Sequence, residues 1–234
     1  ALGPSIGSLI VNAYGMDAMF YSSSFLAFLS IIIVMNMKET LAVKEKLHKS
    51  MFFISRNDII DIGALPAGII TFFSYTAFGL ILTLIPDWSE HLGATNKGIF
   101  FTSFTAASVL VRFIAGKVSD RYGRTSVILV GLIVTAFSLF IISESTSVTI
   151  LLVGAAIYGM GTGTLSPAIN AWTIDLSSPQ HRGKAIATMY ISMELGIGLG
   201  ASIGGSYYND IIERIPLIIK IDIVILYVGN LYSL

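Results

Sequence analysis

Again and again this chain runs for the thickness of a bilayer without meeting a charge. Segments 18–37, 62–86, 125–143 and 145–174 contain no Asp, Glu, Lys or Arg, while segment 98–115 carries only Arg112 and segment 185–208 only Glu194. Hydrocarbon roughly 30 Å thick is crossed by about 20 residues of helix. Lipid offers no partner to the peptide groups, so single segments that cross it satisfy them internally, as helices. Buried helices of soluble proteins seldom run this long, and never in such succession. Segment 1–16 reads as part of another span, and 215–234 as a weaker eighth, interrupted by Lys220 and Asp222. The sequence therefore predicts an all-α polytopic membrane protein. A charged fraction of 12%, against about 25% in soluble domains, agrees.

Several function classes fall away. The formal net charge is +0, which gives no reason to expect a nucleic-acid partner. With no cysteine there is no disulfide, thiolate metal site or thiol nucleophile. His48, His91 and His181 are predicted in loops and are scattered, so no metal site is expected. Segments 3–7 and 200–204 formally match the Gly-x-Ser-x-Gly of hydrolases, but both lie in predicted membrane helices, without the strand that the motif requires. No phosphate-cradling glycine loop with Lys-Ser or Lys-Thr occurs, so an ATP-driven pump is unsupported. Neither enzyme activity nor a cofactor is expected. Ala1 lies inside an apolar run with no basic stretch and cleavage site, which reads as a fragment with its start upstream.

The loops alternate in charge. Segment 38–59 holds Lys38, Lys44, Lys46, Lys49 and Arg56; segment 116–124 holds Lys117, Arg121 and Arg124; segment 176–184 holds Arg182 and Lys184. Of the intervening loops, one carries Lys97, another Arg214 and the others no basic residue. Positive charge collects on the cytoplasmic side, so those three segments and the C-terminus are expected there, in a multi-pass plasma (inner) membrane protein.

A repeat is also visible. Leu2, Gly3, Ser5, Ile6, Gly7 and Asn12 align with Leu199, Gly200, Ser202, Ile203, Gly204 and Asn209 at one constant offset. The two copies lie in the first and seventh spans, six helices apart in the same orientation, as in a carrier built from two parallel six-helix halves.

The run Gly116-Lys117-Val118-Ser119-Asp120-Arg121-Tyr122-Gly123-Arg124 resembles the signature cytoplasmic loop of the major facilitator superfamily: glycine, three residues, Asp-Arg, one residue, Gly-Arg. Val118 and Thr125 depart from its usual Leu and second basic residue. The resemblance places the loop between the eighth and ninth of twelve helices, so that this chain holds helices 5 to 12, about eight of the twelve. Gly3, Pro4 and Gly7 then resemble the Gly-Pro motif of exporters in helix 5, although Ser8 stands in place of its last glycine. Pro179, Arg182, Gly183 and Ala185 resemble the loop between helices 10 and 11. On this frame 1–37 is the end of the N-terminal bundle, 38–59 a cytoplasmic linker and 60–234 the C-terminal six-helix bundle.

The resemblance implies alternating access to a small-molecule substrate near the bilayer midplane, by a monomer. Arg112, Gly116 and Asp120 form one stripe at a spacing of four. Gly116 admits a neighbouring helix, and Asp120 faces the positive end of its dipole. With Arg121, Gly123 and Arg124, they read either as a latch between the two halves or as a basic turn that only sets topology. Glu194, deep in its span, reads as a proton-coupling or substrate-cation site, or as a structural hydrogen bond. Asp175 and Arg182 read as a salt-bridged gate or as interfacial charges. Tyr75, Thr76 and Asn170 are candidate cavity residues, with simple packing as the alternative. The glycines spaced by four, Gly159/Gly163 and Gly196/Gly200/Gly204, predict close helix packing, with Pro86 and Pro167 bending their helices. The expected function is proton-coupled export of a drug-like or sugar-like solute. The alternatives are uptake of a sugar or organic acid with protons, and a non-transporting receptor on the same fold.

Overall fold

The computed structural model describes residues 3–36 and 59–231. Helices succeed one another: α1 Gly3–Tyr14, α2 Met16–Met35, α3 Leu65–His91, α4 Ile99–Tyr122, α5 Arg124–Ser143, α6 Val148–Asp175, α7 Arg182–Tyr208 and α8 Ile215–Leu231. There is no strand among the described residues. Six of these helical segments, α2 to α7 with the short turn ahead of α3, are long and apolar enough to cross a membrane. α1 and α8, with 12 and 17 described residues, are shorter. Nearly all of the 38–59 linker lies outside the described residues.

Short polar signals set the helix ends. Asp61 caps the 3₁₀ turn Ile62–Ala64 by accepting from the Gly63 amide at 3.0 Å, and α3 follows with a proline in its first turn, where the missing N–H costs nothing. Ser147 caps α6 through the Ile150 amide. Between α4 and α5 the chain reverses on Gly123 alone, at φ 91°. A side chain there would be strained, which gives the glycine of the signature loop its physical reason.

α3 packs along α7, α4 along α6, α5 along α6, and α8 sits against α3 and α5. Glycines make these crossings close. A methyl built on Gly196 or Gly200 would overlap the Phe72 or Thr76 carbonyl of α3, and one on Gly159 the Phe104 carbonyl of α4. One buried apolar cluster closes one end of the bundle, with Leu84, Trp88, Phe100, Ile142, Tyr158 and Ile215 among its members. A second, around Ile70, Ile128, Leu165 and Ile169, lies toward the basic end. The outer faces are apolar too: Leu110, Phe113 and Ile114 of α4 and Ile203 of α7 are exposed. Such surfaces are stable in lipid and not in water.

Lys220 and Asp222 do not exclude α8 from the bundle, because they face opposite ways. Lys220, half-exposed, pairs with Glu144 at the end of α5. Asp222, two residues on, is buried against α3 at 2% exposure.

Close approach predicts an asymmetry between neighbouring glycines of α7. Gly200→Ala should cost about 1–3 kcal/mol of stability through overpacking. A methyl on Gly205 would meet Thr83 at an ordinary 3.6 Å, so Gly205→Ala should be neutral or slightly stabilising. Thermal unfolding of the two variants of the full-length protein in lipid nanodiscs checks this; equal melting temperatures would contradict the packing described.

Candidate functional site

Between the two apolar clusters α3, α4 and α6 part to leave a cavity of about 210 Å³. Its lining is mixed. α3 contributes Ser74, Tyr75 and Phe78; α4 contributes Phe104, Thr105, Ser108 and Arg112; α6 contributes Thr162, Leu165 and Ser166. Helix periodicity explains the set: Phe104, Ser108 and Arg112 share one stripe of α4, and Thr162, Ser166 and Asn170 one stripe of α6. A smaller neighbouring cavity is lined by Tyr75, Ser166, Asn170 and, from α7, Tyr190. Hydroxyls and aromatic rings on an apolar wall suit a small organic ligand: the rings take its body and the few polar groups orient it. Of the predicted cavity residues, Tyr75 and Asn170 line this space. Arg112, predicted to belong with the signature loop, lines it as well. Ser74, Thr105, Ser108, Thr162 and Ser166 were not singled out from sequence, although their spacing of three and four was a usable signal.

Thr76 turns away from that space. It is buried on the opposite face of α3, with Oγ1 3.1 Å from Asp222 Oδ1 of α8, beside an apolar groove between α3, α7 and α8. Glu194 lies midway along α7 on an exposed face with Tyr190, Ile191 and Leu195, and makes no hydrogen bond or ion pair among the described residues. Glu194 and the Arg112 cavity are thus separate features of the bundle surface.

At the basic end Arg124 holds three partners. Its guanidinium donates to Asp120 one turn back, to Ser119 at 3.2 Å and to Asp175 at the end of α6 at 3.1 Å. Asp175 therefore pairs with Arg124 and not with Arg182, which is exposed at the start of α7, so of the two readings of that pair the direct bridge does not form in this structure. Gly116 has open space above it among the described residues, while Arg121 is exposed and stacks near the Tyr122 ring. Pro4 lies in the first turn of α1; Gly3 meets nothing nearby, and Gly7 faces Met19 of α2. Asp61 ties the start of α3 to α7, its amide donating to Thr188 Oγ1 at 2.8 Å. At the opposite end Trp88 Nε1 donates to Ser145 at 2.9 Å. There Lys97 bonds Glu90 at 2.7 Å, and that hydrogen bond holds the ammonium above its ordinary pKa. No group of His or acidic residues suited to a metal occurs among the described residues.

An all-helical bundle with lipid-compatible outer faces and a mixed-polarity cavity between its helices defines a multi-pass membrane carrier fold. The chain belongs to the Major Facilitator Superfamily, whose family model matches residues 67–226. That match runs through the first part of α8, where the sequence pattern alone fades. Similar curated proteins include Multidrug resistance protein 1 of Bacillus subtilis, 26% identical over 62% of this chain and 38% of its own length. Quinolone resistance protein NorA of Staphylococcus aureus is 24% identical over the same shares. This chain thus spans about two fifths of those relatives. Among solved structures, the human organic anion transporter MFSD10 (TETRAN) superposes with TM-score 0.60 at 21% identity, covering 76% of this chain and 48% of that one. It shares the fold.

Arg124 is an exposed-end hub, with the side chains of Asp120 and Asp175 67% and 55% exposed. Such pairs contribute little in high dielectric. Arg124→Gln should lower stability by less than about 1 kcal/mol, seen as a melting temperature nearly that of the parent in the full-length protein. A collapse of the fold would show that the pair is structural rather than an end-to-end tie.

Proposed function

We propose that the full-length protein is a secondary carrier that exports a small organic solute by alternating access, coupled to protons. The observation that carries this reading is the cavity of about 210 Å³ between α3, α4 and α6, in a chain whose relatives include two multidrug and quinolone resistance proteins. The cavity wall is rigid: tight glycine crossings hold α4 to α6 and α3 to α7, so the bundle moves as a body against a second one. The basic ends of α4, α5 and α7 face the cytoplasm, as positive charge requires, and the carrier works as a monomer.

Two groups supply the chemistry. Glu194 is a carboxylate placed midway along a membrane helix, where an uncompensated charge is costly. It takes up a proton or a substrate cation when the other bundle covers it. Asp120 and Gly116 latch against a helix of that bundle, with Arg124 passing the contact on to Asp175. Separation of the halves breaks the latch. A second reading has one specific observation behind it: Arg112 is the charged member of the principal cavity's lining, and a guanidinium there favours a substrate bearing an anionic or weakly acidic group.

The test is flux in proteoliposomes holding the full-length protein, with and without an imposed pH gradient. Gradient-driven uphill export is expected, and Glu194→Gln should abolish the gradient's effect while downhill exchange persists. Uphill transport unchanged in that variant would exclude the coupling role, and bound ligand without any flux would favour a receptor. Arg112→Gln should weaken transport of organic anions by roughly tenfold or more, the scale of one lost charge-assisted hydrogen bond, and leave organic cations unaffected. Asp120→Asn should alter transport rate or the balance of inward and outward states.

A further inference from the structure

The α3–α8 contact contains a carboxyl that the central cavity does not use. Asp222 is 2% exposed, and its Oδ2 has no hydrogen-bond partner among the described residues. Its neighbours offer no compensating charge. α3 presents Thr76, and α7 presents Tyr207 across an apolar groove of about 300 Å³. Tyr158 of α6 is buried and has an unpartnered hydroxyl of its own among the described residues. At the two ends of α5, Glu144 is engaged with Lys220 of α8 and Arg124 with Asp120 and Asp175. Among the described residues no Lys, Arg or His lines the groove.

The hydrogen-bond geometry says which form of the carboxyl fits. Thr76 Oγ1 lies 2.7 Å from the Phe73 carbonyl and 3.1 Å from Asp222 Oδ1. A threonine hydroxyl has one proton to give and two lone pairs to accept with. The carbonyl cannot donate, so the shorter contact takes the hydroxyl proton. With that proton engaged, the contact with Asp222 becomes a full hydrogen bond when the carboxyl brings its own proton and Thr76 accepts. An ionised Asp222 would leave a buried charge with at most a shared donor, which low dielectric penalises heavily. In the neutral form a single carbonyl oxygen stays unpaired, a far smaller cost.

We propose that Asp222 is a proton-binding site inside the bundle, loaded at neutral pH while α8 is packed on α3 and closed by the Thr76 hydroxyl. The site is apart from Glu194 and stands whether or not the carrier couples to protons. Loss of the α3–α8 contact would admit water to the groove and free the proton.

Infrared spectroscopy of the full-length protein in lipid nanodiscs at neutral pH tests this. A protonated-carboxyl C=O stretch should be present and should disappear in Asp222→Asn, with melting temperature nearly unchanged because the amide is also neutral. Thr76→Val should leave the band but shift it, since its acceptor is gone. An Asp222→Asn spectrum that loses only ionised carboxylate overturns the proposal. Should that variant fail to fold, the parent and Thr76→Val spectra decide: an unshifted carbonyl band overturns the proposal, and a shifted one supports it. Since the readout is a bond vibration, its failure is separable from a failure of pH-driven flux.

Discussion

Helices that cross lipid gain little by hiding apolar side chains from one another, because the surrounding tails are equally apolar. Cohesion must come from how closely the backbones approach and from the few polar groups between them. In this chain the approach is made by glycine. Gly196 and Gly200 bring α7 against the carbonyls of α3, and Gly159 and Gly163 bring α6 against α4. The remaining architecture follows from those two crossings. They fix which faces of α3, α4 and α6 turn inward, hence where the hydroxyls and aromatic rings converge, and they leave other apolar side chains such as Leu110, Phe113 and Ile203 outside, against lipid.

Spans were legible in the sequence because their cause, the bilayer's thickness, is coarse. Gly123 was legible as part of a signature loop, and its positive φ gives the physical need. The rotation of each helix was not legible. A helix apolar all round carries no strong periodic signal of which face is inside, so Tyr75 and Thr76 stood together as cavity candidates although they face different sides of α3. The same blindness hid Thr162 and Ser166, although they share a spacing of four with Asn170. Ion pairing across sequence distance was likewise out of reach. For Asp175 the sequence offered Arg182 as a partner, with plain interfacial charges as the alternative, whereas it meets Arg124, near in space.

Charge placement separates into three environments. At the helix ends, exposed groups such as Lys97, Glu90, Arg124 and Lys220 find partners at little cost. Away from the ends, Arg112 lines the cavity between α3, α4 and α6, and Glu194 lies on an exposed face of α7. Within the bundle, Asp222 is sealed by packing. Its presence in α8 looked in sequence like a defect of a membrane span; in the fold, Lys220 reaches the helix end and the carboxyl meets a hydroxyl.

The account rests on one bundle wall being presented in turn to the two sides of the membrane. This chain has no cysteine, so in a full-length protein freed of any cysteine elsewhere Ser166, at the junction of the two cavities, can be made the sole thiol. The decisive measurement is the rate at which Ser166→Cys reacts with membrane-impermeant reagents applied from each side of oriented vesicles. The account predicts labelling from both sides, with substrate changing the two rates in opposite directions. Labelling confined to one side, whatever substrate or pH gradient is imposed, would contradict it.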